Sequence, residues 1–446
     1  MFTKIRLKNF YSFEDVTFDL SKGPKDFKHL AIIYGENGSG KTNLMSGLGV
    51  FIDLMRTMDV RDMIEKILYE QEHPKGTDHP LPKLLPQMLA RMFRSSENLF
   101  KECRMVGNEN PVYLEYDFVI NEKQGSYIVE FGADGIIHER LEYVLEKRRG
   151  IYFDLTDGKK VINKALFKSD SLKRDIDEQV KRFWGKHTFL AIFLHETNDK
   201  SRQYIREGVL ENFLQLVNSF FRVSCSINSN HNPYALISGP TKEGMLIDIE
   251  SGNVRRTDEK KIDRTAEILT YLFRSINGDN QRLYYKKESG DSDHINYTLY
   301  IQKRISGVVR DLPFEYESYG NHQIIRMLPL LLRALKGETV VMDESDTGIH
   351  DLLYAKIISE AKPYLKGQLI ITTHNTLLLE LDNIKEAIYI IQEDQNANRS
   401  VVPVSNAGDR IYQQTSLRNK YLCGAYGGIP QIEAIDFPTV LRNLDK

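Results

Sequence analysis

Residues 30–42, LAIIYGENGSGKT, constrain this chain more than any other stretch, because an almost wholly apolar run opens into a glycine-rich loop that closes on Lys-Thr. A short unbroken apolar run fits a strand covered on both faces, and the apolar periodicity from Lys41 onward fits a helix. Between them, GENGSGKT (Gly35–Thr42) has two glycines separated by four residues, then a lysine and a hydroxyl residue. Gly35, Gly38 and Gly40 let the backbone turn so that successive N–H groups face an anion. Lys41 adds a point charge for phosphate, Thr42 offers a hydroxyl to Mg²⁺, and the following helix brings its positive end. A glycine-rich turn with an incidental lysine would explain the loop alone, but it requires neither the strand before nor the helix after. The candidate nucleotide-contacting set is Gly35, Asn37, Gly38, Ser39, Gly40, Lys41, Thr42 and Asn43.

The rest of the composition narrows the setting. The 446 residues are 41% hydrophobic, ordinary for a folded chain of two or three lobes. Lys and Arg number 60 against 62 Asp and Glu, so no bulk positive field announces a nucleic-acid or membrane partner. Any such binding must come from a local patch. Cys103, Cys225 and Cys423 lie far apart at no metal-ligand spacing, which fits a reducing, cytoplasmic setting. The apolar run MLPLLLRAL (Met327–Leu335) is too short to span a bilayer, so no membrane partner is expected.

Phe2 to Leu20 alternate with a period near two in both halves, predicting a hairpin. From about Asp53 to Cys103 the pattern is helical with polar breaks, among them EHPKGTDHPLP, read as an inserted loop. Strand signals return in VYLEYDFVI and SYIVEF (Val112–Ile120, Ser126–Phe131). Asn163 to Asn280 read as helical, without the sustained heptads of a coiled-coil arm. Strands are predicted over Ile295–Val309 and a helix over Tyr319–Leu335. This divides the chain into a first part, 1–150, carrying the loop and an insertion near 53–103; a helical lobe, 151–294; and a last part, 295–446. There are no repeats.

The last part carries further chemistry. TVVMDESD (Thr339–Asp346) delivers Asp343 and Glu344 side by side at the end of a buried strand. Adjacent carboxylates repel, so the pairing makes sense beside a cation: Asp343 to support Mg²⁺, Glu344 to deprotonate an attacking water. Taken alone, the pair reads equally well as an acidic helix cap. QLIITTHNT (Gln368–Thr376) ends a third apolar strand on His374. A lone histidine there is commonly structural, but its place after the acidic strand suits a γ-phosphate sensor. In ESYGNHQ (Glu317–Gln323), Ser318 and Gly320 open a helix, and capping explains the serine without any function.

Taken in order, GENGSGKT, ESYGNHQ, VVMDES and ITTHN resemble the ATPase heads of the ABC superfamily, in the branch that holds SMC-like, RecF-like and OLD-like ATPases. KIRLKNFYSF resembles that branch's opening strand, and KYLCGAYGGIP resembles the close of small bacterial ATPases of abortive infection and phage defence. The resemblance covers roughly residues 1–50 and 295–430. It implies an α/β fold, an ABC-type head of mixed β-sheet with a helical insertion. It implies that Lys41 and Thr42 bind ATP and Mg²⁺, with Asp343 on the metal, Glu344 as base and His374 as switch. It also implies that Ser318 and Gly320 are a signature element touching the partner subunit's ATP, with Asp346 opening the D-loop. Tyr319 stands where the usual LSGGQ signature has a glycine. Gln71 and Gln124 are the candidates for the glutamine usual between phosphate loop and signature. The expected assembly is a homodimer or higher homo-oligomer. With no coiled-coil arm and no nuclease-like acidic cluster after His374, its output is expected to pass to a separately encoded nuclease or toxin. The alternative is a DNA-maintenance ATPase using the basic runs Glu146–Gly150, Val180–Lys186 or Asn253–Lys261, which otherwise read as solvated surface.

Overall fold

Every side chain of Leu30–Tyr34 is buried, and successive residues go to opposite cores. Ala31 and Ile33 join one apolar cluster; Leu30, Ile32 and Tyr34 join the other. A strand feeding two cores has no polar face, which is why the run lacks alternation. In the computed structural model, residues 1–72, 95–198, 200–228, 233–236, 245–276, 280–290, 293–406, 416–429 and 436–444 are described.

In chain order, β1 (Phe2–Phe10) and β2 (Phe13–Asp19) form the predicted hairpin, and β3 (Ser21–Gly23) and β4 (Asp26–Phe27) a small ribbon. Strand β5 (Leu30–Tyr34) then leads into α1 (Lys41–Glu72). After α2 (Ser96–Cys103) come β6 (Val112–Ile120), β7 (Lys123–Gly132), β8 (Gly135–Val144), β9 (Arg149–Thr156) and β10 (Lys159–Ile162). Helices α3 (Asp170–Phe183), α4 (Phe189–Asn198), α5 (Arg202–Gly208) and α6 (Glu211–Phe220) follow. Next are β11 (Val223–Asn228), β12 (Pro233–Leu236), β13 (Ser251–Arg255), α7 (Glu259–Ile276), β14 (Asn280–Ser289), β15 (His294–Ile305) and β16 (Val308–Pro313). The chain continues through α8 (Tyr319–Leu335), β17 (Thr339–Met342), α9 (Asp351–Ala361), β18 (Gln368–Thr372), β19 (Ile388–Glu393) and β20 (Arg399–Pro403). Helices α10 (Leu417–Leu422) and α11 (Phe437–Leu444) come last.

The central sheet runs β12-β11-β17-β18-β5-β19-β20, with the five inner strands parallel. Parallel strands end at the same edge, so whatever follows β5, β17 and β18 meets there. One face packs against α1 and the antiparallel sheet β10-β9-β8-β7-β6-β1-β2; the other packs against α8, α9 and a sheet of β13 to β16. Buried Gln368 joins two sheets, accepting from Phe2 N at 3.0 Å and donating to Phe2 O at 2.9 Å.

One expectation needs correction. The stretch 151–294 is not a purely helical lobe, because β9 and β10 extend the first antiparallel sheet, β11 enters the central sheet and β13 and β14 build the third. Strand β11, VSCSIN, alternates apolar and polar residues over only six positions and directly follows a helical run, so its short period merges into the helical reading. Helix α1 runs to Glu72, where the proline-rich run begins; the rest of that run, read as an inserted loop, lies outside the described residues.

Glu139 of β8 is fully buried and supports α1 indirectly. Its carboxylate accepts from Tyr127 Oη at 2.9 Å, Trp184 Nε1 at 3.1 Å and the Phe189 N–H at 2.5 Å, the last capping α4. The same turn ties to α1 through Thr188 Oγ1 on Leu54 O and His187 Nδ1 beside Thr57 Oγ1, each at 3.0 Å. Burial raises the Glu139 pKa to about 7, against these hydrogen bonds.

Candidate active site

The loop after β5 wraps around its own lysine. Lys41 Nζ donates to Gly35 O at 2.8 Å and Glu36 O at 2.9 Å and is almost fully buried. Burial holds its pKa below the usual lysine value, while Asp343, Glu344, Asp346 and Glu36 pull it upward. Gly40 has φ +101°, and a Cβ there would stand 2.9 Å from both Phe13 Cζ and Ser12 Oγ. The loop therefore sits on the β1–β2 turn, where Asn43 Nδ2 donates to Ser12 Oγ at 2.9 Å. The first bond of α1 runs from Leu44 N to Gly40 O, so the N–H groups of Lys41, Thr42 and Asn43 head the helix without intrahelical partners. Ser39 Oγ is buried with no hydrogen-bond partner. An orphaned hydroxyl inside a ring of N–H donors fits a phosphate ligand.

The acidic strand meets this loop directly. Asp343 Oδ2 accepts from Thr42 Oγ1 at 2.6 Å, and Oδ1 accepts from Thr372 Oγ1 at 2.5 Å. The Asp343 N–H donates to Ser226 O of β11 at 2.8 Å. Thr372 Oγ1 also accepts from the Glu344 N–H at 2.7 Å, and Glu344 has φ +46°. A non-glycine residue in that region is strained and is held there by its surroundings. Beyond it, Ser345 Oγ and Tyr354 Oη lie 2.5 Å apart.

His374 follows β18, and its N–H donates to Asp346 Oδ2 at 3.2 Å. Partial desolvation and then the Lys41 ammonium hold its pKa below the usual histidine value, against Asp346, Glu344 and Asp343. Ser318 caps α8, with Oγ accepting from Asn321 N at 3.3 Å. A Cβ on Gly320 would meet Gly348 O at 2.6 Å, and one on Gly348 (φ +78°) would meet the Tyr319 ring at 2.4 Å. The start of α8 thus abuts the turn that begins at Asp346. Among the described residues, no hydrogen bond joins Ser318 or Gly320 to the phosphate loop.

The structure therefore brings together Lys41, Thr42, Asp343 and the backbone of Glu344, and links His374 to Asp346. It does not bring in Gln124, whose amide donates to Pro24 O instead; the Gln71 side chain lies outside the described residues. The three basic runs lie on different elements: the β8–β9 turn, the end of α3, and β13 with the start of α7. Two contributors went unread in the sequence, Thr372 and Ser226 O, and the turn after α10, within KYLCGAYGGIP, carries a resemblance that does not place it at the site. In that turn Gly428 has φ +70°, and a Cβ there would lie 3.5 Å from Gly35 Cα, while Tyr421 Oη donates to Gly428 O at 3.1 Å. The paired glycines were the available signal.

Among the described residues, no cluster of three or more His, Cys, Asp or Glu side chains stands ready to hold a metal ion. Thr42 Oγ1 and Asp343 are hard oxygen donors at one point, which fits Mg²⁺ completed by phosphates and water.

Strand order completes the definition of the class. The acidic strand β17 lies one strand away from β5, with the histidine strand β18 between them and α8 packed beside the acidic turn; the protein has the fold of an ABC-type ATPase head. The chain belongs to the family described as "AAA domain, putative AbiEii toxin, Type IV TA system", which it matches over residues 30–380. It is similar to the SMC head domain from Thermotoga maritima, with 14% identity, 90% of this chain and 98% of that chain covered, and a TM-score of 0.37. It is also similar to an Smc head bound to the C-terminal winged-helix domain of ScpA, at 12% identity, 91% and 99% coverage and a TM-score of 0.42. An Smc head with an extended coiled coil from Pyrococcus furiosus gives 14% identity, 90% and 95% coverage and a TM-score of 0.37. No curated protein matches the chain. Among the described residues, no helix is long and apolar enough to cross a membrane.

Proposed function

We propose that the protein binds and hydrolyses ATP at this site and uses nucleotide state to control its own dimerisation. The observation that carries the reading is the 2.6 Å bond between Thr42 Oγ1 and Asp343 Oδ2, which joins two motifs 301 residues apart at one sheet edge. The loop N–H groups, Ser39 Oγ and Lys41 hold the phosphates. Thr42 and Asp343 would hold Mg²⁺, which when bound spreads the charge of the β- and γ-phosphates. Thr372 fixes Asp343 and the Glu344 backbone, and the Glu344 carboxylate takes a proton from the attacking water as its oxygen bonds to the γ-phosphorus and ADP leaves. His374, kept neutral near pH 7 by its lowered pKa, donates a hydrogen bond to the γ-phosphate.

Ser318 and Gly320 complete the site of a second copy, so two ATP molecules join two heads and hydrolysis releases them. The family's description names a toxin of a type IV toxin–antitoxin system. That description supports a toxin-related setting; on the motif resemblance, this switch restrains or releases a separately encoded nuclease or toxin in a bacterial defence or toxin-regulating system in the cytoplasm. Filter retention of labelled ATP tests the foundation. Lys41→Ala is expected to lose retention entirely, and wild-type affinity in that variant would overturn the phosphate-loop assignment.

A further inference from the structure

The third sheet has two chemically different faces. Along β14 and β15, Leu283, Tyr285, Tyr297, Leu299 and Ile301 point inward and are buried in the core that α7 completes. The alternate residues point outward, and the register sets Tyr284 directly opposite Tyr300. Their rings lie 5.8 Å apart, inclined by 30°. Cations sit on these rings: Lys286 Nζ is 4.0 Å from the Tyr300 centroid, and the Arg282 guanidinium is 5.8 Å from that of Tyr284. Arg304 follows on the same face two residues beyond Gln302, which is paired with Arg282.

Comparison with the first antiparallel sheet shows why these cations matter. There, Lys4 pairs with Glu115 and Asp117, Arg6 with Asp15, and Arg140 with Glu142 and Asp154. Two lysines off the outer face of the third sheet are also paired, Lys287 with Glu259 and Asp263, and Lys303 with Glu317. Among the described residues, Arg282, Lys286 and Arg304 make no ion pair. Register also puts Arg255 on this face, opposite His294, so four cations face two carboxylates, Asp311 and Glu288. A chain of net charge −2 therefore carries a local positive surface with two aromatic faces in its middle.

We propose that this outer face binds single-stranded nucleic acid. Bases stack on Tyr284 and Tyr300, and the cations now resting on the rings turn to the phosphates. A duplex keeps its bases stacked inside and could engage only the cations, so the tyrosines select for single strands. The proposal goes beyond ATP hydrolysis and does not depend on it.

The test is fluorescence anisotropy of a short labelled oligothymidylate with the full chain, alongside a duplex of equal length and an oligouridylate. Binding of the single strand that weakens steeply with added salt is expected. Tyr284→Ala with Tyr300→Ala should weaken it about tenfold or more, while Tyr284→Phe with Tyr300→Phe preserves it. Lys286→Ala should lower the salt slope by about one. Binding of either single-stranded polymer supports the proposal, and their ratio shows whether the sugar is read. No binding, equal binding of the duplex, or affinity unchanged in the double alanine variant would overturn it. Retained ATP binding by the alanine variant excludes misfolding, and Lys41→Ala, which is expected to lose ATP, should still hold the oligonucleotide.

Discussion

Asp343 takes a threonine hydroxyl on each carboxylate oxygen, Thr42 on one side and Thr372 on the other. Only the first is expected to exchange its partner for Mg²⁺, so Thr372 is the fixed half of the arrangement. It also holds the Glu344 N–H at a backbone angle that glutamate ordinarily avoids. Thr372→Val keeps the shape and removes both bonds, leaving buried polar groups unmatched at about 1–3 kcal/mol each. Expected outcomes are a kcat lower by about tenfold or more, ATP affinity within a few-fold of wild type, and a lower Tm. An unchanged kcat would show that Thr372 does not position the acidic pair. That Lys41, Thr42 and Asp343 meet was legible in the sequence because each stands in a motif that follows an apolar strand run. Thr372 was not, since a threonine inside an apolar strand is ordinary strand composition.

At the scale of elements, the hairpin, β5, α8, β17 and β18 could be read because each satisfies a period or an unbroken apolar run. Strand β11 could not, although VSCSIN alternates, because six residues after a helical run are a weak signal; its place in the central sheet comes from pairing with β17, more than a hundred residues onward, which no local pattern encodes. Helix α4 shows a different dependence, since its first N–H is capped from another sheet by Glu139. The pKa of Glu139 is raised to about 7, above the unfolded value of about 4.3. The folded state therefore keeps a proton that the unfolded state releases. This contribution to stability is complete below about pH 4.3 and falls as pH rises through about 7. Glu139→Gln keeps an acceptor for Phe189 and Trp184 and turns its amide toward Tyr127, without the titration. Relative to wild type, the variant should gain about 2–3 kcal/mol between pH 5 and pH 8. Thermal melts of both proteins across that range are the check, and a difference in Tm that stays constant with pH would refute the prediction.

For the whole molecule, the decisive geometry is that one chain holds both the phosphate loop and the serine-capped helix, yet no hydrogen bond among the described residues joins them. Contacts within the chain run instead from Asp346, which accepts from the His374 N–H, through Gly348 to Tyr319 and Gly320. Tyr319 is largely exposed, and its ring fills the space over Gly348 that a side chain there would need. On the proposed function, a change at the γ-phosphate felt by His374 would reach the surface that a second head would meet. If ATP is the cement of that contact, blocking hydrolysis must preserve it. Glu344→Gln with ATP is expected to sediment at twice the monomer mass, while the same variant with ADP, and the double variant Glu344→Gln with Ser318→Arg in ATP, remain monomeric. A change confined to Glu344→Gln with ATP would place the contact at the signature helix. An unchanged mass in all three would instead confine nucleotide sensing to a single head and leave Ser318 as a helix cap.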